Sequence, residues 1–148
     1  MEETLAINKR AGYDFEFLET FEGGLVLSGA EVKSAKAKHL QLKGAFVSIR
    51  DGGLWLKNAL IARYEPACEQ PDYDPYRNRK VLINHRELKK LIGKIQIQGL
   101  TLVPIKVYLR RNRVKLSFAL ARGKKKFEKR AAIKKREIDR QIRERMRE

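Results

Sequence analysis

The chain has 148 residues, the length of one domain, and 43% of them are apolar, as in an ordinary folded protein. Lys and Arg number 34 against 18 acidic residues, which gives a formal net charge of +16. The length argues against two catalytic domains, and the charge favours nucleic acid over an acidic small molecule as the partner.

The first predicted elements lie in the N-terminal third. Acidic and aromatic residues alternate over residues 13–17, which is the period of a strand with one buried face. Gly23 and Gly24 then predict a tight turn into a second strand over residues 25–28, so that the two strands form a hairpin. A short helix is predicted over residues 30–38.

A second hairpin is predicted over residues 45–50 and 54–61, around an Asp-Gly-Gly turn at residues 51–53. Asp and Gly tolerate the positive φ that tight turns require. The following segment, residues 63–79, holds three of the four prolines, and we expect a long loop there.

A longer helix is predicted to start after Asn84, a favourable N-cap residue that is followed by Glu87 at the third helical position. Apolar residues then recur at helical spacing, and Gly99 is a natural C-terminal stop.

The last predicted hairpin pairs residues 101–109 with residues 114–121 through the sequence Arg-Arg-Asn-Arg. Pro104 lacks a backbone donor, so its strand should be an edge strand or carry a bulge. Short hairpins with one late helix predict a mainly β fold, a small antiparallel OB-type β-barrel with two or three short helices.

The C-terminal segment has a different composition. Residues 122–148 hold 13 basic and 5 acidic side chains, so this segment carries +8 and the rest of the chain the other +8. A thin apolar stripe runs from Phe127 to Met146. We therefore divide the chain into a body, residues 1–122, and a basic tail, residues 123–148, which is disordered when free and helical when bound to an anionic partner.

Catalytic, metal-binding and membrane-spanning signatures are missing from the sequence. Cys68 is the single cysteine, His39 and His85 are far apart, and Asp72 and Asp74 stand in a Pro-rich loop. The apolar runs are too short for a membrane span, and the N-terminus does not have the pattern of a signal peptide. We expect a cytoplasmic protein with no catalytic residues, metal or cofactor.

The informative residues are basic. Three clusters, Asn8-Lys9-Arg10, Arg77-Asn78-Arg79-Lys80 and Arg110-Arg111-Asn112-Arg113, precede or connect predicted strands. Loops of this kind around a small barrel can hold a phosphate backbone, while Asn amides and planar Arg groups reach bases. The alternative is a solubilising surface without a dedicated partner, and three clusters together with the tail favour RNA binding.

Six blocks of the sequence stand in the order and spacing of a known family: Asn8-Lys9-Arg10-Ala11, Phe21-Glu22-Gly23-Gly24, Gly29-Ala30-Glu31-Val32-Lys33-Ser34, Asp74-Pro75-Tyr76-Arg77-Asn78-Arg79-Lys80, Gly99-Leu100-Thr101-Leu102-Val103-Pro104 and Gly123-Lys124-Lys125-Lys126-Phe127-Glu128-Lys129-Arg130. From about residue 5 to residue 136 the chain resembles the SsrA-binding protein family, SmpB. The resemblance implies a monomeric OB-type barrel that binds the tRNA-like domain of transfer-messenger RNA (tmRNA) and delivers it to bacterial ribosomes stalled without a stop codon.

The resemblance also implies which residues face tmRNA. Glu22, Leu82 and Asn84 correspond to family positions on the RNA-binding side, and a carboxylate there can accept hydrogen bonds from base amino groups or a ribose hydroxyl. The other expected tmRNA-binding residues come from the basic and polar blocks: Asn8, Lys9, Arg10, Lys33, Arg77, Arg79 and Lys80.

The tail block resembles the ribosome-engaging segment of the family. Gly123 would let the chain leave the barrel, and the ring of Phe127 would stack on a base of the small-subunit decoding centre in the empty mRNA channel. The residues expected to contact rRNA phosphates are Lys124, Lys125, Lys129 and Arg130. Phe127 keeps the stacking surface but lacks the hydrogen-bonding group of the Tyr or His common in the family.

Two other functions fit the same composition. A general RNA-binding or ribosomal OB-fold protein would bind without preference for tmRNA, and a small RNA-modifying or RNA-hydrolysing enzyme would turn RNA over. Preference for tmRNA over ordinary tRNA separates the first of these from an adaptor of trans-translation, and turnover identifies the second.

Overall fold

A computed structural model of the chain describes residues 2–64, 72–123 and 136–143. The elements in chain order are β1 (Glu2–Ile7), α1 (Ala11–Asp14), β2 (Phe15–Leu25), α2 (Gly29–Lys36), β3 (Leu40–Gln41), β4 (Phe46–Arg50), β5 (Gly53–Lys57), β6 (Leu60–Ile61), β7 (Arg79–Leu82), α3 (His85–Gln98), β8 (Thr101–Arg110) and β9 (Arg113–Gly123). A further helix, α4, spans residues 136–143.

The strands close into a ring. Seven of them follow the order β1-β8-β4-β5-β7-β2-β9, and an additional pairing of β8 with β9 closes the sheet on itself. All the pairings are antiparallel, and β3 and β6 form a separate two-stranded sheet. The predicted class is therefore confirmed: a mainly β, antiparallel, closed arrangement with a few short helices.

The interior of the ring is filled by the inward-facing residues of each strand, because successive side chains of a strand point to opposite faces. Val47 of β4, Leu56 of β5 and Val81 of β7 are buried there. Leu116 and Phe118 of β9 are buried there as well. Leu91 of α3 and Ala35 of α2 are fully buried in the same cluster, so the two longer helices pack against this core.

Two predicted hairpins are confirmed. β4 and β5 turn through Asp51 (φ 52°) and Gly52 (φ 71°), and β8 and β9 turn through Arg111 (φ 50°) and Asn112 (φ 62°). Two consecutive residues with positive φ match the right-handed twist of the strands that they join.

Two details of these hairpins differ from the sequence prediction or refine it. The strand predicted over residues 54–61 is interrupted at Asn58 (φ 61°), so β5 ends at Lys57 and the next residues form β6. The register of β8 shifts between Pro104 and Lys106, which is the bulge expected where proline cannot donate to the ladder.

The first predicted hairpin is wrong. Residues 13 and 14 belong to α1, and Gly23 and Gly24 lie inside β2, which pairs with β9 along almost its whole length and with β7 at its end. These glycines make no turn. A Cβ atom on Gly23 would lie 2.7 Å from Val81 Cγ1 and 2.8 Å from Ile83 Cγ2, so Gly23 is required by the close approach of β7.

Both longer helices begin at side-chain caps. The backbone N–H of Glu31 donates to Ser28 Oγ (3.2 Å), and that of Ser28 donates back to Glu31 Oε1 (3.0 Å), a complete capping box. Asn84 accepts from the backbone N–H of Arg86 (2.9 Å), and α3 ends at Gly99 with φ 62°. The predicted helices, including the Asn84 cap and the Gly99 stop, are confirmed.

β9 continues to Gly123, which pairs with Phe15, one residue beyond the predicted body. The division into body and tail stays a prediction. The predicted tail residues Lys124, Lys125, Phe127, Lys129 and Arg130 lie outside the described residues.

The tail helix α4 is exposed along its length, and Arg136 lies 4.4 Å from the centre of the Tyr13 ring and donates to its hydroxyl. Within residues 2–64, 72–123 and 136–143, no helix has the length and apolar character of a membrane span. Disorder of the free tail stays a prediction.

The surroundings of the two adjacent glycines give a direct test of the fold. Gly23→Ala should lower the free energy of unfolding by about 1–3 kcal/mol, the usual cost of forcing an atom into a packed site. Gly24→Ala is the matched control, because its Cβ would meet Leu82 Cβ at an ordinary 3.7 Å. Urea unfolding of both variants measures the difference, and equal stabilities would contradict the close approach of β7.

Candidate nucleic-acid interface

Glu22, Leu82 and Asn84 come together on one outer face of the ring. Gly24 pairs with Leu82, and continuing this antiparallel register sets Glu22 opposite Asn84, where α3 begins. Lys80 and Leu82 are the outward residues of β7, and Leu82 remains 54% exposed. The structure therefore brings together the three predicted residues and adds the Lys80 cation beside them.

Glu22 is held by cations of the neighbouring strands. Arg110 Nη1 lies 2.8 Å and Lys115 Nζ 3.5 Å from Glu22 Oε1, and Arg110 also pairs with Glu2. A hydrogen bond from Tyr108 and the nearby charges of Arg110 and Lys115 lower the pKa of Glu22. Glu22 is therefore ionised at neutral pH, and it fixes the positions of two cations on the surface.

Tyr108 supports this cluster from below. Its side chain is buried, its ring lies 5.2 Å from Lys106 Nζ and 5.4 Å from the Arg110 guanidinium carbon, and burial and the Glu22 carboxylate raise its pKa. Arg110 continues into the tip of the β8–β9 hairpin, where a cleft of about 750 Å³ is lined by Arg110, Arg111, Arg113 and Lys115. All four lining residues are basic, so the cleft favours an anionic group such as a phosphate.

The Arg-Asn-Arg-Lys block is organised by a carboxylate to which the sequence analysis assigned no role. Glu31, 1% exposed, accepts hydrogen bonds from Arg79 Nε (2.9 Å) and Nη2 (2.7 Å) and from Arg77 Nε (3.1 Å), and the Tyr73 hydroxyl lies 3.1 Å from its Oε2. Burial alone would raise the pKa of Glu31. The hydrogen bonds from Arg77, the Ser28 backbone and Arg79 outweigh burial and lower the pKa to about 2.

Arg79 corrects one prediction. It is 0% exposed, and its guanidinium is also bonded to the carbonyl oxygens of Ala59 (2.7 Å) and Pro75 (3.0 Å). The guanidinium of Arg79 is directed at acceptors within the protein. The predicted contact of Arg79 with tmRNA therefore does not fit its position. Arg77 keeps 40% of its side chain exposed while it pairs with Glu31, and Lys80 points outward.

The N-terminal block lies three strands away from Glu22 across the sheet. Ile7 of β1 pairs with Lys106 of β8, Lys106 pairs with Ser117 of β9, and Ser117 pairs with Glu22 of β2. Three strand spacings amount to about 14 Å, so this block and the Glu22 face are separate patches on one side of the body.

Within the N-terminal block, the charged residues are more exposed than Asn8. Asn8 has a structural role, because its side-chain amide donates to the Pro104 carbonyl (2.9 Å) and its backbone N–H to that of Ile105 (2.8 Å). Lys9 and Arg10 are exposed, and Arg10 Nε lies 3.7 Å from Asp14. Lys33 of α2 is exposed, with its ammonium 5.7 Å from the centre of the Tyr64 ring.

The remaining polar residues form no ligand set. In the part of the chain that the structure describes, no three His, Cys, Asp or Glu side chains are grouped so as to hold a metal ion. Asp74 accepts from the backbone N–H of Tyr76 (2.9 Å) in an exposed turn, His39 and His85 are exposed on separate elements, and Cys68 lies outside the described residues.

Comparisons with known proteins identify relatives along almost the whole chain. The SmpB protein family model matches residues 5–148. An SsrA-binding protein of Sulfurihydrogenibium sp. is 45% identical over 141 residues, 95% of this chain and 92% of the relative, and one of Trichormus variabilis is 47% identical over 135 residues, 91% and 87% of the two chains.

A solved structure is also similar. One chain of a structure described as "tmRNA-SmpB: a journey to the center of the bacterial ribosome" is 45% identical, has a TM-score of 0.65, and covers 81% of this chain and 84% of its own length.

The Glu31 cluster predicts a pH-dependent loss of stability. Glu31→Gln should lower the free energy of unfolding at neutral pH by about 3–5 kcal/mol, because the buried Arg79 loses its counter-charge. Glu31 has a lower pKa in the folded chain, about 2, than the ordinary 4.5. The stabilisation is therefore complete above pH 4.5 and is lost as the pH falls through 2, so the difference between variant and parent should narrow in that range.

Glu19→Gln is the matched control, since Glu19 also pairs with two cations, Lys90 and Lys94, but at the surface. Its loss should cost less than about 1 kcal/mol. Urea unfolding at a series of pH values compares the two, and an equal small cost for both would remove the structural role assigned to Glu31.

Proposed function

Because the chain belongs to the SmpB protein family, we propose that it is an RNA-binding adaptor of trans-translation, which binds tmRNA and brings it to the stalled bacterial ribosome. The observation that carries this proposal is the similarity, at 45% identity over 81% of the chain, to the protein of the tmRNA–SmpB ribosome structure. The function is binding, in the cytoplasm where ribosomes act, and no catalytic step is assigned to its residues.

The body, which extends to Gly123, recognises the tRNA-like domain of tmRNA. Its two patches are the Glu22 face with Lys80, Leu82 and Asn84, and the N-terminal block with Lys9 and Arg10. Arg77 and Lys33 extend the cationic surface, while Arg79 and Asn8 hold the backbone that presents these side chains. Two patches about 14 Å apart can contact separate turns of one RNA fold.

The basic residues and Glu22 contribute differently to RNA binding: the basic residues supply affinity, and Glu22 supplies specificity. Lysines and arginines supply phosphate contacts that any RNA can satisfy, and these contacts weaken with salt. Glu22 repels phosphates and accepts hydrogen bonds only from amino or hydroxyl groups, so it favours an RNA that offers such groups at that place. Its ion pairs with Arg110 and Lys115 keep the carboxylate and the nearest cations in fixed relative positions.

The tail engages the ribosome. Together with Arg122, which precedes it, the tail carries half of the excess positive charge of the chain, which suits a segment that enters an RNA-walled channel. Lys124, Lys125, Lys129 and Arg130 bind rRNA phosphates, and Phe127 stacks on a base of the decoding centre when no mRNA fills the channel. Stacking on an aromatic side chain contributes about 1–3 kcal/mol per base.

Glu22→Lys tests the assignment of specificity. In a gel-shift competition between tmRNA and bulk tRNA, the parent should prefer tmRNA, and Glu22→Lys should lose more of that preference than of its total RNA binding. Glu22→Gln is the control, because it keeps the size and the acceptor but removes the charge. A parent without preference would mark the chain as a general RNA-binding protein, and an unchanged preference in Glu22→Lys would leave Glu22 as a surface acid.

Phe127→Ala tests the role of the tail. The variant removes the ring and leaves every cation in place, so rescue of stalled ribosomes should fall while tmRNA affinity is unchanged. Phe127→Tyr preserves the stacking face and should rescue at least as well as the parent. Parental rescue by Phe127→Ala, measured as tagging of a nascent chain on a message without a stop codon, would contradict stacking at this position.

A further inference from the structure

A groove of about 850 Å³ opens beside β8, where the ring closes through the single residue pair of Val47 with Leu102. β9 covers one edge of β8 along its whole length, while β1 and β4 share the opposite edge. β1 pairs with it from Lys106 onward and β4 only at Leu102, so the segment around the Pro104 bulge has no strand beside it on that edge. The groove is a consequence of this gap, and its volume lies within the range of ligand sites.

The walls of the groove are apolar and partly exposed. Buried Leu40, Leu42 and Val103 form its floor, while Ile7 and Phe46 on its sides are 58% and 48% exposed. Phe46 is the first residue of β4. Two large apolar side chains that remain exposed beside one cavity indicate a surface that a ligand covers.

The rim of the groove is cationic. Lys9, Arg10 and Lys43 line it and are exposed. Asp14, the one acidic residue among those lining the groove, lies 3.7 Å from Arg10, so its charge is offset by that guanidinium. Among the described residues no carboxylate lies within salt-bridge distance of Lys9 or Lys43. The ammonium groups of these two lysines are therefore available to pair with an anionic ligand.

We propose that this groove takes one unstacked base of the tRNA-like domain of tmRNA, with the base on the ring of Phe46 and its flanking phosphates on Lys9 and Lys43. The inference rests on the proposed function. An aromatic wall beside separated cations is the arrangement that binds a base together with its backbone. An apolar protein segment would cover Phe46 and Ile7 but would leave both lysines facing a surface without counter-charge.

The position of the groove selects tmRNA over ribosomal RNA. Lys9 and Arg10 belong to both the groove and the N-terminal patch, and the register of β1, β8 and β9 leads from this patch to Glu22. A single RNA that contacts the Glu22 face therefore also reaches the groove, whereas rRNA is the partner of the tail.

The test measures the affinity of the full-length chain for the isolated tRNA-like domain of tmRNA as a function of salt. Phe46→Ala should weaken binding about 5- to 150-fold, the range for one stacked base, and leave the slope against log salt unchanged. The double substitution Lys9→Gln and Lys43→Gln should instead flatten that slope by about 0.7–0.9 for each phosphate that the variant no longer neutralises.

Three further variants separate stacking from folding. Phe46→Tyr keeps the ring and should bind like the parent, whereas Phe46→Leu keeps apolar bulk without a stacking face and should resemble Phe46→Ala. Phe17→Ala removes a similarly exposed phenylalanine that does not line the groove and should have no effect. Thermal unfolding of each variant shows that the comparison is made between folded proteins.

The outcomes distinguish this inference from the function on which it rests. If the parent prefers tmRNA over tRNA but Phe46→Ala and Phe46→Leu bind like the parent, the groove proposal is overturned and the proposed function stands. If the parent shows no preference, the proposed function itself fails. Unchanged tmRNA affinity with weaker association of Phe46→Ala with the ribosome would assign the groove to another partner and also overturn the proposal.

Discussion

The ion pairs of the buried Glu31 carboxylate are the interaction on which the outer face with Lys80, Leu82 and Asn84 depends. This carboxylate joins the first turn of α2 to Arg77, to Arg79 at the start of β7 and to Tyr73. Arg79 in turn holds the carbonyl groups of Ala59 and Pro75. A charge inside a protein is costly unless it is paired and hydrogen-bonded, and here every described partner contributes a bond. The cluster thus fixes where β7 enters the ring, and so where Lys80, Leu82 and Asn84 lie.

A second constraint is that β8 pairs with three other strands. One edge is taken by β9, and the other is shared between β1 and β4 with a bulge at Pro104. Asn8 bonds the carbonyl groups of Pro104 and Ile105, which removes the cost of leaving them unpaired. The same gap leaves the apolar groove beside Phe46. The unpaired stretch of β8 and the groove therefore have one origin.

A feature of the fold can be predicted from the sequence when the residues that determine it are neighbours in the chain. The turns at Asp51-Gly52 and Arg111-Asn112 and the Asn84 cap were predictable, because each is determined by neighbouring residues. The glycines at 23 and 24 carry a turn signal, but the role of Gly23 is decided by β7, at Val81, which is distant in the sequence.

Arg79 failed as an RNA contact for a similar reason. Its charge is visible in the sequence, but its partner Glu31 stands 48 residues earlier. The Ser28-x-x-Glu31 spacing could have predicted the capping box, although not the two arginines. Phe46 gave no signal, because an aromatic residue at the start of a strand is ordinary, and its 48% exposure depends on the folded chain around it.

The central claim is that the body alone recognises tmRNA and that the tail adds only the ribosome. The direct measurement compares the full-length chain with a chain that ends at Gly123, the last residue of β9, in competition between the tRNA-like domain of tmRNA and bulk tRNA at moderate salt. We predict that the shortened chain keeps the preference for tmRNA and loses association with stalled ribosomes. Loss of the preference on removal of the tail would contradict this division of roles.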